Sequence, residues 1–106
     1  MGEGNPWAGE AALVLDGRRH VLKLTLGALA ELEAAMEADS LVALVDRFET
    51  GAFTARDLAR LLLAGLRGGG WAGDAAALLS AEIEGGPVEA TRVAATLLRR
   101  SFALPE

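Results

Sequence analysis

In residues 13–36, LVLDGRRHVLKLTLGALAELEAAM, the spacing of apolar positions changes partway along. Before Thr25 the apolar residues tend to alternate, the period of a half-buried strand; after it they recur every three or four positions, the period of a helix. The alternating part predicts two short strands around Asp16-Gly17, a pair suited to a type I′ turn because both central positions need positive φ. With a two-residue loop, Leu13 faces His20 and Leu15 faces Arg18. Leu13, Leu15, Leu22 and Leu24 then share one side, with Val14 and Val21 on the other. The Arg18-Arg19 pair also permits a longer loop and a register shifted by one. A two-stranded hairpin is marginal alone, so its leucine side should rest on helices.

Five helical segments follow. Thr25 caps the first, with Leu29, Leu32, Ala35 and Met36 as its apolar stripe. In SLVALVDRFETG, Ser40 is the cap, Leu41, Leu44, Val45 and Phe48 are the buried side, and Gly51 is the stop. FTARDLARLLLAGLRGGG carries the strongest local signal. Thr54 and Asp57 have capping-box spacing, Phe53 and Leu58 stand at hydrophobic-staple positions, and Leu58, Leu61, Leu62 and Leu66 face inward until glycines 68–70 end the helix. DAAALLSAEIEGG offers Ala75, Ala76, Leu79 and Ile83 as a stripe closed by Gly85-Gly86. Pro87 fits a first helical turn, after which Ala90, Ala94, Leu97, Leu98 and Phe102 point inward. The fold class expected is α+β, mainly helical, with an N-terminal two-stranded antiparallel hairpin packed on about five short helices. Residues 1–9, with three Gly, one Pro and one Asn, read as a flexible lead-in, and 10–104 as a single compact domain.

Composition narrows the function classes. The 106 residues are 52% apolar, mostly Ala and Leu, with two Trp, three Phe and no Tyr, which favours close-packed helices over a broad sheet. There is no Cys, so no disulfide framework or thiolate metal site can form. The start MGEGNPWAGE lacks the basic residues and apolar run of a signal peptide, and charges or glycines interrupt every apolar run. The expected location is cytoplasmic. A net charge of −5, with fifteen acids against ten bases, opposes a general phosphate-binding surface.

Candidate chemistry is sparse. His20 is the single imidazole and sits on a strand among apolar or basic neighbours. Glu31/Glu33 and Glu82/Glu84 are two apart, hence on divergent helix faces; Asp46/Glu49 could be neighbours but have no third oxygen ligand nearby. Ser40 and Thr54 are explained as caps. GLRGGGWAGD lacks the Lys-Ser/Thr ending of a phosphate loop and follows a predicted helix where that loop follows a strand. Arg56, Arg60 and Arg67 share a rough side of the third helix, Arg60 lying three residues after Asp57. Arg92, Arg99 and Arg100 crowd the last helix, the final two near its C-terminus, where positive charge is favourable. TARDLARLL has a faint helix-turn-helix look, yet the segment that would read bases has almost no suitable donors. No catalytic, cofactor-binding or metal-ligating residue is assigned.

Apolar residues left outside the stripes say more. Val42, Leu63 and Leu78 lie beside them. Each taken singly fits a helix buried on two sides; together they suggest an exposed docking face. Trp71 has two readings, a plug across helix ends or an anchor for another protein. Val42, Leu63, Trp71 and Leu78 are the candidate protein-binding residues.

Two passages carry a family resemblance. LDGRRHVLKLTLGALAELEA, with its pattern L-D-G-x-x-x-x-L-x-L-T-x-G-A-L-A-E-L-E, and SLVALVDRFETGAFTARDLARLLLAGLRGGG resemble the small tail proteins of bacterial gene transfer agents and related long-tailed phages. These are described as tail-assembly chaperones and in places as tail tube proteins. The resemblance runs over nearly the whole chain and contains no catalytic motif. It implies a non-enzymatic protein, without cofactors, that binds the helix-rich tape measure protein and/or the major tail protein in the cytoplasm or with phage-like particles. A structural tail tube or tail-associated component is the alternative, although familiar tube proteins are sheet-rich. A small nucleic-acid-binding or regulatory adaptor is the third class. Self-association into a homo-oligomer is compatible with the same apolar surplus; membrane association is not expected.

Overall fold

The structure, a computed structural model, describes residues 10–36 and 40–102; the lead-in expected at 1–9 lies outside the described residues. Strands β1 (Glu10–Leu15) and β2 (Arg18–Lys23) form one antiparallel pair with Leu13 opposite His20 and Leu15 opposite Arg18. Asp16 and Gly17 take φ of 51° and 81°, the positive pair a type I′ turn requires. Ala11, Leu13, Leu15 and Leu22 are buried on one side of the hairpin. The shorter of the two loops expected is the one formed.

Helix α1 (Leu26–Ala35) starts where Thr25 Oγ1 accepts the Ala28 N–H at 3.0 Å. Its buried line is Ala28, Leu32 and Met36, four apart, while Ala35 is exposed and Leu29 half-buried. The expected stripe was therefore rotated by part of a turn. Helix α2 (Leu41–Thr50) has Ser40 as cap and ends at Gly51, φ 79°. Leu44 is fully buried, with Leu41, Val45 and Phe48 packed on the core.

Helix α3 (Ala55–Gly68) is the central element, lying against β2, α1 and α5. Thr54 and Asp57 form the full capping box. Its last turn runs so close to β2 that a Cβ on Gly68 would lie 2.0 Å from the Lys23 carbonyl oxygen, and one on Gly69 1.9 Å from that of Val21. These glycines were expected only to stop the helix; they also let it cross the strand backbone.

Helix α4 (Ala75–Ser80) departs most from expectation. It was expected to continue to Ile83, yet it stops at Ser80 and the chain pairs with β1 instead. Leu15 and Ile83 make an isolated antiparallel bridge. Asp16 N–H donates to the Glu82 carbonyl at 2.8 Å, and Glu84 N–H donates to the Val14 carbonyl at 3.1 Å. Asp16 Oδ1 also accepts the Glu82 N–H at 2.9 Å. A six-residue helix buries one line only, and that line is Leu78, not Ala75, Ala76 and Leu79. Helix α5 (Gly86–Phe102) buries Ala90, Ala94, Leu97 and Leu98 as expected, and also Val93 and Thr96; the side chain of Phe102 lies outside the described part. The architecture is α+β and mainly helical: a hairpin followed by five helices.

Candidate interaction surfaces

Polar side chains are mostly spent on local structure. Asp57 is buried at the start of α3, where Arg47 of α2 grips it through Nε to Oδ2 at 2.8 Å and Nη2 to Oδ1 at 3.0 Å. Asp57 Oδ2 also accepts the Thr54 N–H at 3.0 Å. Burial pushes the Asp57 carboxyl up, but the hydrogen bonds from Arg47 and Thr54, with the Arg47 charge, outweigh it and hold the group below the usual carboxylate range. Sequence spacing had put Arg60 beside Asp57; the partner comes instead from ten positions upstream, on a different helix. Arg67 pairs with Glu31 at 3.3 Å. Arg92 pairs with Glu89 at 2.6 Å, and its hydrogen bonds hold the Glu89 carboxyl low. Among the described residues no group of three or more His, Cys, Asp or Glu could hold a metal ion.

The four residues singled out from the sequence do not share one surface. Val42 is 80% exposed on α2. Leu63 is half-buried and rests on the core. Trp71 also packs on the core, its ring edge-on to His20 with centroids 6.3 Å apart. The backbone at Gly73 lies directly on that ring, since an added Cβ would come within 2.3 Å of it. Leu78 packs in the core at 4% exposure and also lines an apolar hollow between α3, α4 and α5. Its neighbour Leu79 is 73% exposed, and Leu26 and Val88 are exposed as well. Pattern alone could have flagged Leu26, since a first-turn residue after a cap often precedes the buried line. For Leu79 the only signal was the end of α4, which is set by long-range pairing.

Three hollows open on the surface near these side chains. The first, about 290 Å³, lies between α3, α4 and the start of α5, with Leu58, Leu62, Leu79, Ile83, Pro87 and Ala90 among its walls. All its lining residues are Ala, Leu, Ile, Gly or Pro. A second, about 310 Å³, separates α2 from α5 and mixes Val45, Phe48 and Leu98 with Glu49 and Arg99. The third, about 350 Å³, adjoins Trp71 and the Arg67–Glu31 pair. Only the first is wholly apolar, and such a groove usually receives an apolar partner surface.

The molecule is thus a small α+β protein whose most distinctive surface is greasy and helical. Among the described residues no helix is long and apolar enough to cross a membrane. The chain belongs to the family described as phage tail tube protein, GTA-gp10, whose pattern matches residues 8–104. It is therefore a phage tail-related protein of the gene-transfer-agent type, a class that works in contact with other tail components. No curated protein and no solved structure matches it.

Proposed function

We propose that this chain is a non-enzymatic tail-assembly chaperone that holds the tape measure protein and/or the major tail protein while a phage-like tail is built. It works in the cytoplasm, transiently associated with assembling particles. The observation that carries this reading is the state of the hairpin edges. Residues 82–84 occupy the outer edge of β1 near the turn. On β2, Gly68 and Gly69 lie against the outward carbonyls of Lys23 and Val21 at the opposite end. Each edge is covered over part of its length from within the chain. A subunit that polymerises by adding strand to strand keeps its edges open. This one instead offers helix sides and an apolar groove, which suit a helix-in-groove contact with a helix-rich partner.

The family description itself favours a second reading, a structural component of the tail tube. Co-expression with the neighbouring tail proteins, followed by purification of both free complexes and finished particles, separates the two. The chaperone reading expects the chain bound to unassembled tape measure or major tail protein and missing from mature particles. High, stoichiometric copy number in finished particles would replace it with the tube reading.

A further inference from the structure

Helix α2 is lightly held. Leu44 is its one fully buried residue, and the helix lies chiefly against α5. That contact is incomplete. The hollow of about 310 Å³ opens between them, walled by Val45, Phe48 and Glu49 on α2 and by Ala95, Leu98 and Arg99 on α5. Protein interiors leave few voids larger than a water molecule, so α2 forgoes much of the attraction that close packing supplies. Its other fastening is the clasp of Arg47 on Asp57. Releasing that clasp leaves the start of α3 capped, because Asp57 and Thr54 still exchange their own two hydrogen bonds. Gly51, at φ 79°, ends α2 with open space around its Cβ position, which gives the helix a pivot.

The seat beneath α2, unlike the open groove, is filled, so what it takes is on view. Leu41, Leu44, Val45 and Phe48 pack on the core at helical spacing, Val42, Asp46 and Glu49 are exposed, and a guanidinium meets the Asp57 carboxylate. A two-pronged arginine contact fixes direction as well as charge, so Asp57 selects a cation at one point along the stripe. We infer that α2 is a strap: it lifts as one unit while the rest of the chain stays folded, and a tail-protein helix repeating its pattern takes its place. That helix carries aliphatic or aromatic residues at its first, fourth, fifth and eighth positions and Arg at the seventh, as α2 does. The identity of the incoming helix rests on the chaperone reading, and the strap adds how its apolar seat stays covered until that helix arrives.

Because the natural chain has no Cys, one introduced thiol reports the opening. Leu44→Cys on α2 and Leu61→Cys on α3 are matched, since both replace a fully buried leucine. Under native conditions the Leu44→Cys thiol should react with a soluble disulfide reagent at least about tenfold faster than Leu61→Cys. Its urea dependence should be shallower, because lifting α2 exposes less surface than unfolding the whole chain. Adding Arg47→Met should speed the Leu44→Cys reaction a further tenfold or about that, the effect of losing a partly buried ion pair. A second arm keeps the natural core. Two fluorescent peptides of about sixteen residues share the α2 stripe and carry Arg or Glu at the seventh position. In anisotropy the Arg peptide should bind the full chain at least about tenfold more tightly than the Glu peptide, and Asp57→Asn should abolish that preference. Arg47→Met in the chain should tighten Arg-peptide binding about tenfold, because the closed strap competes for the seat. Equal rates and urea dependence at the two thiols, or no preference for Arg, would overturn the inference. So would a dimer, in sedimentation, that Arg47→Met strengthens, because the incoming helix would then be α2 of a second copy. The two readings fail separately. If tail proteins co-purify although α2 opens only with global unfolding, the strap is wrong and the chaperone stands. If the strap behaves as expected but no tail protein is retained, the chaperone reading is the one lost.

Discussion

Removing the Asp57 carboxylate should detach α2 from the rest of the body. One carboxylate serves two purposes. It closes the capping box of α3 by accepting the Thr54 N–H at 3.0 Å, and it anchors α2 through the two-pronged contact with Arg47. Helix α2 has few other ties: Leu44 is its one fully buried side chain, and Phe48 stacks on Phe53 with centroids 4.4 Å apart. In Asp57→Ala, the lost capping hydrogen bond costs about 0.5–1.5 kcal/mol. The ion pair lies between the exposed and buried extremes, with Arg47 23% and Asp57 9% accessible, so its loss adds about 1–3 kcal/mol. A total of about 1.5–4.5 kcal/mol lowers the midpoint of thermal unfolding by roughly 6–20 °C for a chain of this size.

Urea titration followed by far-UV circular dichroism measures that loss, and a cycle with Arg47→Met isolates the pair. A coupling of about 1–2 kcal/mol is expected. Amide exchange should accelerate across α2 more than across α3. The pH dependence has a fixed sign. Because the folded Asp57 titrates below its ordinary value of 3.8, the stabilisation is whole above that pH. It is lost as pH falls from there through the lower folded value. Asp57→Ala should lack this part of the acid limb. A variant within about 0.5 kcal/mol of the parent, or strict additivity with Arg47→Met, would refute the picture of a shared anchor.

Two further substitutions test the packing. Gly68→Ala should destabilise by about 3 kcal/mol in urea, because the new methyl would meet the Lys23 carbonyl at 2.0 Å and the neighbour is backbone, not a flexible side chain; a change below about 1 kcal/mol would mean α3 can slide on β2. Leu61→Ala, at a fully buried site, should cost about 2–5 kcal/mol, whereas Leu79→Ala should stay within about 0.5 kcal/mol in the same assay; similar losses at both would contradict the burial pattern.

Most of the fold was legible because most of it is local. The hairpin register follows from Asp16-Gly17, whose backbone preference fixes which residues face each other. The starts of α1, α2 and α3 follow from Thr25, Ser40 and Thr54, whose side chains each accept a nearby N–H. What sequence reasoning missed depends on contacts between distant segments. Asp57 chose Arg47 over Arg60 because α2 folds back across the start of α3. The inward line of α4 was misplaced similarly: it was expected to run through Leu79 and runs through its neighbour Leu78, so a phase error of one residue exchanges a core side chain for a surface one. Nothing in the local period distinguishes them, since α4 completes under two turns.

The end of α4 links these misreadings to the groove. Continuing the helix through Ile83 would have kept Leu79 and Ile83 on one covered stripe, which was the expectation from their spacing. The backbone of 82–84 bonds instead to Val14 and Asp16, exchanging about one turn of helix for closure of part of the β1 edge. That exchange has two consequences at once. It blocks a stretch where a neighbouring strand could add, and it leaves Leu79 and Ile83 as walls of an open apolar groove between α3 and α5. The same three residues therefore make the hairpin a poor seed for a sheet and the helical side a better seat for a helix, so edge closure and groove formation are one structural event. A substitution that restored helix through Ile83 would be expected to change both together.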